Sequence, residues 1–184
     1  MRKLLVALLC TLAGPALATG LDIEIAGEGA NGTVHVELMD DVAPDHVQRI
    51  TELAREGAYD DVVFHRVIDG FMAQTGDVEF GKFGMDMRRA GTGGSDRPDL
   101  KAEFSDESFD RGVVGMARSA NPDSANSQFF IMFAPAPHLN GQYTVVGRVT
   151  EGMDVVDAIK RGTTGRNGEV MGQPDRMVKV SVTD

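Results

Sequence analysis

Arg66 lies in the run Phe64-His65-Arg66-Val67-Ile68-Asp69-Gly70-Phe71-Met72-Ala73-Gln74-Thr75-Gly76-Asp77. Side chains alternate faces along a strand, so Phe64, Arg66 and Ile68 share one face, and Val63, His65 and Val67 the other. Both faces are largely apolar, which places a guanidinium among hydrophobic groups. Two readings are open. One is a structural ion pair, since buried arginines are usually paired. The other is a donor held ready inside a pocket. His65 reads as a hydrogen-bonded core histidine. In Ser127-Gln128-Phe129-Phe130-Ile131-Met132-Phe133, alternation puts Phe129, Ile131 and Phe133 on an uninterrupted core face. Gln128, Phe130 and Met132 fall on the other. That face mixes an amide with large apolar groups, as does the floor of a pocket for an uncharged ligand. A core strand with one polar end has the same pattern.

Other chemistry is weakly represented. Gly76 to Lys82 follows most of a phosphate-binding loop, but Phe83 replaces the hydroxyl residue and no helix follows. Asp77 and Glu79 would repel an anion. Among His35, His46, His65 and His138, no two have metal-ligand spacing on one element, and His35 and His46 read as surface residues. There is no Gly-x-Ser-x-Gly nucleophile elbow. The sequence implies no metal and no organic cofactor.

The elements that must position these residues are short. Asp22–Ile25 and Thr33–Leu38 alternate around an Asn31-Gly32 turn and read as a hairpin. Pro44 opens a helix with Val47, Ile50, Leu53 and Ala54 as its inner stripe and Gly57 at its end. Residues 61–68, 71–75, 113–117, 127–133, 144–149 and 177–182 read as further strands. Residues 76–112 read as loop, and 153–161 as a second helix ended by Gly162. Eight strands, two helices and no strand–helix–strand rhythm predict an all-β dominated fold. It would be a closed eight-stranded antiparallel β-barrel capped by two α-helices.

The 184 residues carry 18 Lys+Arg against 28 Asp+Glu, a net charge of -10. A nucleic-acid partner needs a basic footprint, so that class is excluded. Met1-Arg2-Lys3, the apolar run Leu4–Leu12 and Ala16-Leu17-Ala18 have the three parts of a secretory signal peptide. Cleavage after Ala18 predicts a domain over 19–184, a periplasmic or secreted product free of the membrane, and a monomer. It also removes Cys10, the one cysteine, so no disulfide or thiol chemistry remains.

The sequence resembles the cyclophilin family of peptidyl-prolyl cis-trans isomerases. The likeness spans about Asn31 to Val180 and rests on the Phe64–Asp77 block, Gly91-Thr92-Gly93-Gly94, the Gly112–Phe133 block and Gly141–Val156, in that order. The signal segment, Met116-Ala117-Arg118-Ser119-Ala120 and Pro137-His138-Leu139-Asn140-Gly141 look like the bacterial exported branch. The resemblance implies isomerisation of Xaa-Pro bonds in unfolded or nascent exported polypeptides. A non-catalytic chaperone or assembly module that grips proline segments is the competing expectation. By position, it implies a catalytic Arg66, a proline pocket from Phe71, Met72, Phe130 and Leu139, and backbone contacts from Gln74 and Gln128. Gly91, Ala117 and Arg118 would line the groove. His138 stands where well-known members carry tryptophan, and Tyr143 where they carry histidine; both are expected to face substrate.

Overall fold

The computed structural model describes residues 19–183; residues 1–18, expected above to be a signal peptide, lie outside the described residues. Nine strands form one antiparallel sheet: β1 Gly20–Ala26, β2 Asn31–Leu38, β3 Val62–Val63, β4 Arg66–Ile68, β5 Met72–Thr75, β6 Val113–Met116, β7 Phe129–Met132, β8 Val145–Glu151 and β9 Arg176–Thr183. Their order is β3-β9-β1-β2-β8-β6-β7-β5-β4. The two end strands are successive pieces of chain separated only by Phe64 and His65. The sheet therefore curls until its edges meet in one segment, and covalent continuity, rather than a ladder, joins them. This corrects the strand count from eight to nine, because the stretch read as one strand over 61–68 is broken at its centre.

The break also corrects the expected faces. Phe64 and Val67 both pack in the main core, while Ile68 lies with the second apolar cluster and Arg66 is half-buried. Strict alternation fails across Phe64-His65 because the chain changes sheet edge there. On β7 alternation holds: Phe129 and Ile131 enter the main core, and Phe130 and Met132 the second cluster.

Helix α1, Pro44–Arg55, lays Val47, Ile50, Leu53 and Ala54 on the sheet. Its first-turn amides have no capping side chain at Ala43. The carboxylate of Glu103 takes them instead, accepting from Asp45 N and His46 N at 3.2 and 3.1 Å. A negative group there also complements the helix dipole. His46 Nδ1 lies 2.5 Å from the same carboxylate and is fully buried, so it is not the surface residue its polar context suggests. Helix α2 is shorter than the sequence predicts, Met153–Ala158. No helix among the described residues is long and apolar enough to cross a membrane.

The long segment after β5 is ordered around one buried carboxylate. Asp77 is 0% exposed and accepts from the amides of Glu79 and Phe80 through Oδ1 and of Gly91 and Gly93 through Oδ2, at 2.7 to 3.1 Å. The glycine-rich loop does form an anion cradle, and the chain's own Asp77 fills it.

Candidate active site

Four strands bring the central residues into one row. Arg66 pairs with Gln74 across β4–β5, Gln74 with Phe130 across β5–β7, and Phe130 with Gly115 across β7–β6. Side chains in such a row share one face of the sheet. Gly115 ends the row because the Phe130 ring needs its space: a Cβ there would lie 2.7 Å from Phe130 and 2.5 Å from Phe109. Those two rings stack at 5.8 Å.

Above this row lies a hollow of about 160 Å³ lined by Arg66, Phe71, Met72, Gln74, Ala117, Arg118, Phe130, Leu139 and Tyr143. Its floor is apolar. Met72, Phe130 and Leu139 are buried in the second cluster, with Phe71, Ala117 and Tyr143 packed against it. Tyr143 stands edge-on to Phe130 at 6.0 Å, and the Arg118 guanidinium lies 4.3 Å over the Tyr143 ring. A larger hollow of about 570 Å³ adjoins it, sharing Gln74, Ala117 and Arg118 and adding Gly91 and Gln128. His138 is placed differently: it is exposed and stacks on Phe71 at 5.8 Å, outside the walls of both hollows.

The guanidinium is tethered by neutral groups. Arg66 Nη1 donates to Gln74 Oε1 at 3.0 Å. Nε donates to the Asn167 main-chain oxygen at 3.0 Å, and Nη2 to Asn167 Oδ1 at 3.1 Å. Gln74 Nε2 in turn donates to Gln128 Oε1 at 2.9 Å, and Gln128 Nε2 to the Gly93 carbonyl at 2.8 Å. No described carboxylate pairs with Arg66, although seven other described arginines form ion pairs with acidic side chains. The structural ion-pair reading of Arg66 is therefore wrong. Burial pulls its pKa below the ordinary arginine value, with Tyr143 acting the other way; the group stays protonated at neutral pH.

His65, in the strand break itself, is 8% exposed. Neither ring nitrogen meets a protein hydrogen-bond partner, which corrects the expectation of a hydrogen-bonded core histidine. Burial pushes its pKa down to about 4, so the ring is neutral at pH 7. Among the described residues no group of three or more His, Cys, Asp or Glu side chains is arranged to hold a metal ion.

Sequence reasoning missed Asn167, Gly115 and Phe109. The Asn167-Gly168 pair is a turn signal, but nothing in spacing tells that this turn reaches Arg66, 101 residues away.

Comparison with known proteins converges. The model of the family described as cyclophilin type peptidyl-prolyl cis-trans isomerase/CLD matches residues 21–182. A Brucella suis protein named "Probable peptidyl-prolyl cis-trans isomerase" is 62% identical over 154 residues, covering 83% of this chain and 78% of that protein. The crystal structure of cyclophilin AquaCyp293 from Hirschia baltica superposes with a TM-score of 0.69 at 25% identity, covering 88% of this chain and 73% of that one. A Cryptosporidium parvum cyclophilin-type structure shares the fold at a TM-score of 0.74 and 22% identity, over 91% of this chain and 99% of that one.

Proposed function

The chain belongs to the cyclophilin-type peptidyl-prolyl cis-trans isomerase family, and from that premise we propose that Arg66 is the group that accelerates rotation about the Xaa-Pro bond. The activity is prolyl isomerisation, and cyclophilins bind proline-containing peptides. The observation that carries the role of Arg66 is its guanidinium, paired with no described carboxylate, in the wall of a hollow whose floor is apolar.

Rotation makes and breaks no covalent bond. Amide resonance raises a barrier of about 18–20 kcal/mol. In the planar ground state the prolyl nitrogen shares its lone pair with the carbonyl and accepts no hydrogen bond. Mid-rotation the nitrogen becomes pyramidal and its lone pair can accept one. A donor aimed at that point binds the transition state better than the substrate, which is the condition for catalysis. Arg66 is such a donor. Its acceptors on the protein are amide oxygens, so they orient the guanidinium without cancelling its charge.

The hollow supplies the fixed half of the rotation. A cavity of about 150 Å³ lined by apolar side chains holds a ring the size of benzene, so this one has room for a pyrrolidine ring. Met72, Phe130 and Leu139 form the floor, and Phe71 and Tyr143 the sides. Gln74 and Gln128 face the adjoining hollow, where they can bond the peptide backbone beside the proline. A stabilisation of roughly 7 kcal/mol corresponds to about 10⁵-fold in rate. A charge-assisted bond in a site partly shielded from water, together with a gripped ring, is of that order.

The same reading extends to biology. The charged start, apolar run and Ala16-Leu17-Ala18 of the signal segment support export to the periplasm or beyond, with a monomeric domain over 19–184 acting on exported polypeptides. Isomerisation of a short Xaa-Pro peptide, run beside a holdase assay on an unfolded protein, tests the catalytic reading. Turnover of the peptide is expected; suppression of aggregation without turnover contradicts it. Fractionation of cells carrying the chain with and without residues 1–18 tests export. Recovery of the full chain in the cytoplasm contradicts it.

A further inference from the structure

We propose that Asn167 is a positioning residue for Arg66, fixing the plane and direction of the guanidinium that the isomerase reading above places at the reacting nitrogen. A guanidinium carries five N–H groups in a rigid plane. Asn167 takes two on one edge, through its main-chain oxygen to Nε and its Oδ1 to Nη2. Gln74 takes a third at Nη1. A fourth, also on Nη1, faces the weak acceptor Met72 Sδ at 3.9 Å, which leaves one N–H group free on a side chain that lines the hollow. One tether would let the plane swing; three contacts from two sides of the site hold it.

Asn167 can offer both oxygens to one partner because of its backbone. Its φ of 53° lies in the left-handed region, which Asn tolerates better than most residues. The turn that carries it is pinned to the strand that carries Arg66. Val67 N donates to Gly168 O, and Gly162 N to Val67 O, both at 2.8 Å. Thr163 N donates to Glu169 O at 2.9 Å and closes the turn. Gly168 has a φ of 78°, and a Cβ there would come within 2.4 Å of Ile68, so the turn lies flat against β4. Asn167 and Arg66 are thus carried by segments hydrogen-bonded directly to each other. The neutrality of the amide matters as much as its place, because a carboxylate in the same position would offset the charge that the twisted amide needs.

Two variants separate these effects. Asn167→Gly keeps the left-handed backbone and the main-chain acceptor and removes the side chain, and with it the Oδ1 contact to Nη2. It is expected to lower kcat about tenfold with KM within twofold and the melting temperature nearly unchanged. Rotation of the Arg66 guanidinium, read by NMR exchange of its Nη resonances, should change from slow to fast. Asn167→Asp keeps the acceptor and adds a charge; Nη exchange should stay slow while kcat falls about tenfold or more. Unchanged Nη exchange in Asn167→Gly overturns the proposal. So does a loss of activity that arises through KM and tracks a lowered melting temperature, which is what a merely structural turn would give. Full activity in Asn167→Asp overturns the claim about neutrality. The NMR readout needs no turnover, so an inactive native chain would sink the isomerase reading while leaving this test intact.

Discussion

Arg66 and Gln74 face each other directly across the β4–β5 ladder, with Nη1 donating to Oε1 at 3.0 Å. The acceptor is an amide that is itself held by Gln128, so the guanidinium is placed without being neutralised. Gln74→Glu keeps the length and the acceptor for Arg66, replaces the Nε2 donor to Gln128 by an oxygen, and adds a negative charge. Its expected outcome is a fall in kcat/KM of at least tenfold with the melting temperature unchanged or raised. Steady-state rates on an Xaa-Pro peptide and a thermal melt check it. Activity equal to the native chain would show that the charge of Arg66 is not what acts.

The activity should be nearly flat between about pH 6 and 9. Burial lowers the pKa of Arg66, but a guanidinium still does not titrate in that window. His65 is neutral throughout it, with its pKa pushed down to about 4. A pH–rate profile on the peptide substrate checks this. A bell-shaped curve centred near neutrality would point to an acid–base mechanism instead.

Stability, unlike activity, should respond to acid through His65. In the fold its pKa is pushed down to about 4 by burial, against 6.5 for a solvent-exposed histidine. Between those values the unfolded chain binds the proton and the folded chain does not. The contribution is therefore complete above about pH 6.5 and is lost as pH falls towards 4. It amounts to about 3 kcal/mol at 1.36 kcal/mol per pKa unit. Urea unfolding at pH 7 and pH 4.5 should show a smaller pH-dependent loss in His65→Gln than in the native chain. Equal losses in the two would contradict the assignment.

Removal of the Asp77 carboxylate should loosen the loop beside the site. Asp77→Ala strips the acceptor from four amides, including those of Gly91 and Gly93. The expected cost is about 2–4 kcal/mol, read by urea unfolding. Amide hydrogen exchange at Gly91 and Gly93 should accelerate with it. Unchanged exchange there would mean that the loop is held by other contacts.

Much of this architecture is legible in the residues. The alternation in Phe129-Phe130-Ile131-Met132 separates the barrel core from the pocket floor, and the inner stripe of α1 follows from Val47, Ile50, Leu53 and Ala54. These are local periodicities, and burial on one face enforces them. The break at Phe64-His65 is not local: it arises because successive residues serve opposite ends of one curled sheet. His46 looks polar and external until Glu103 arrives from 57 residues away to cap α1. Asn167 belongs to the same class. Its turn is written in the sequence, but its partner is set by how the chain folds back on β4.

The central claim is that Arg66 binds the twisted amide more tightly than the planar one. The most direct measurement is Arg66→Ala, with kcat/KM for an Xaa-Pro peptide and the Kd of the same peptide determined side by side on folded protein. The account predicts a loss of at least about a hundredfold in kcat/KM with Kd changed only a few-fold and the fold intact. A variant that keeps its turnover per folded molecule, or loses it in proportion to weakened peptide binding, would contradict it.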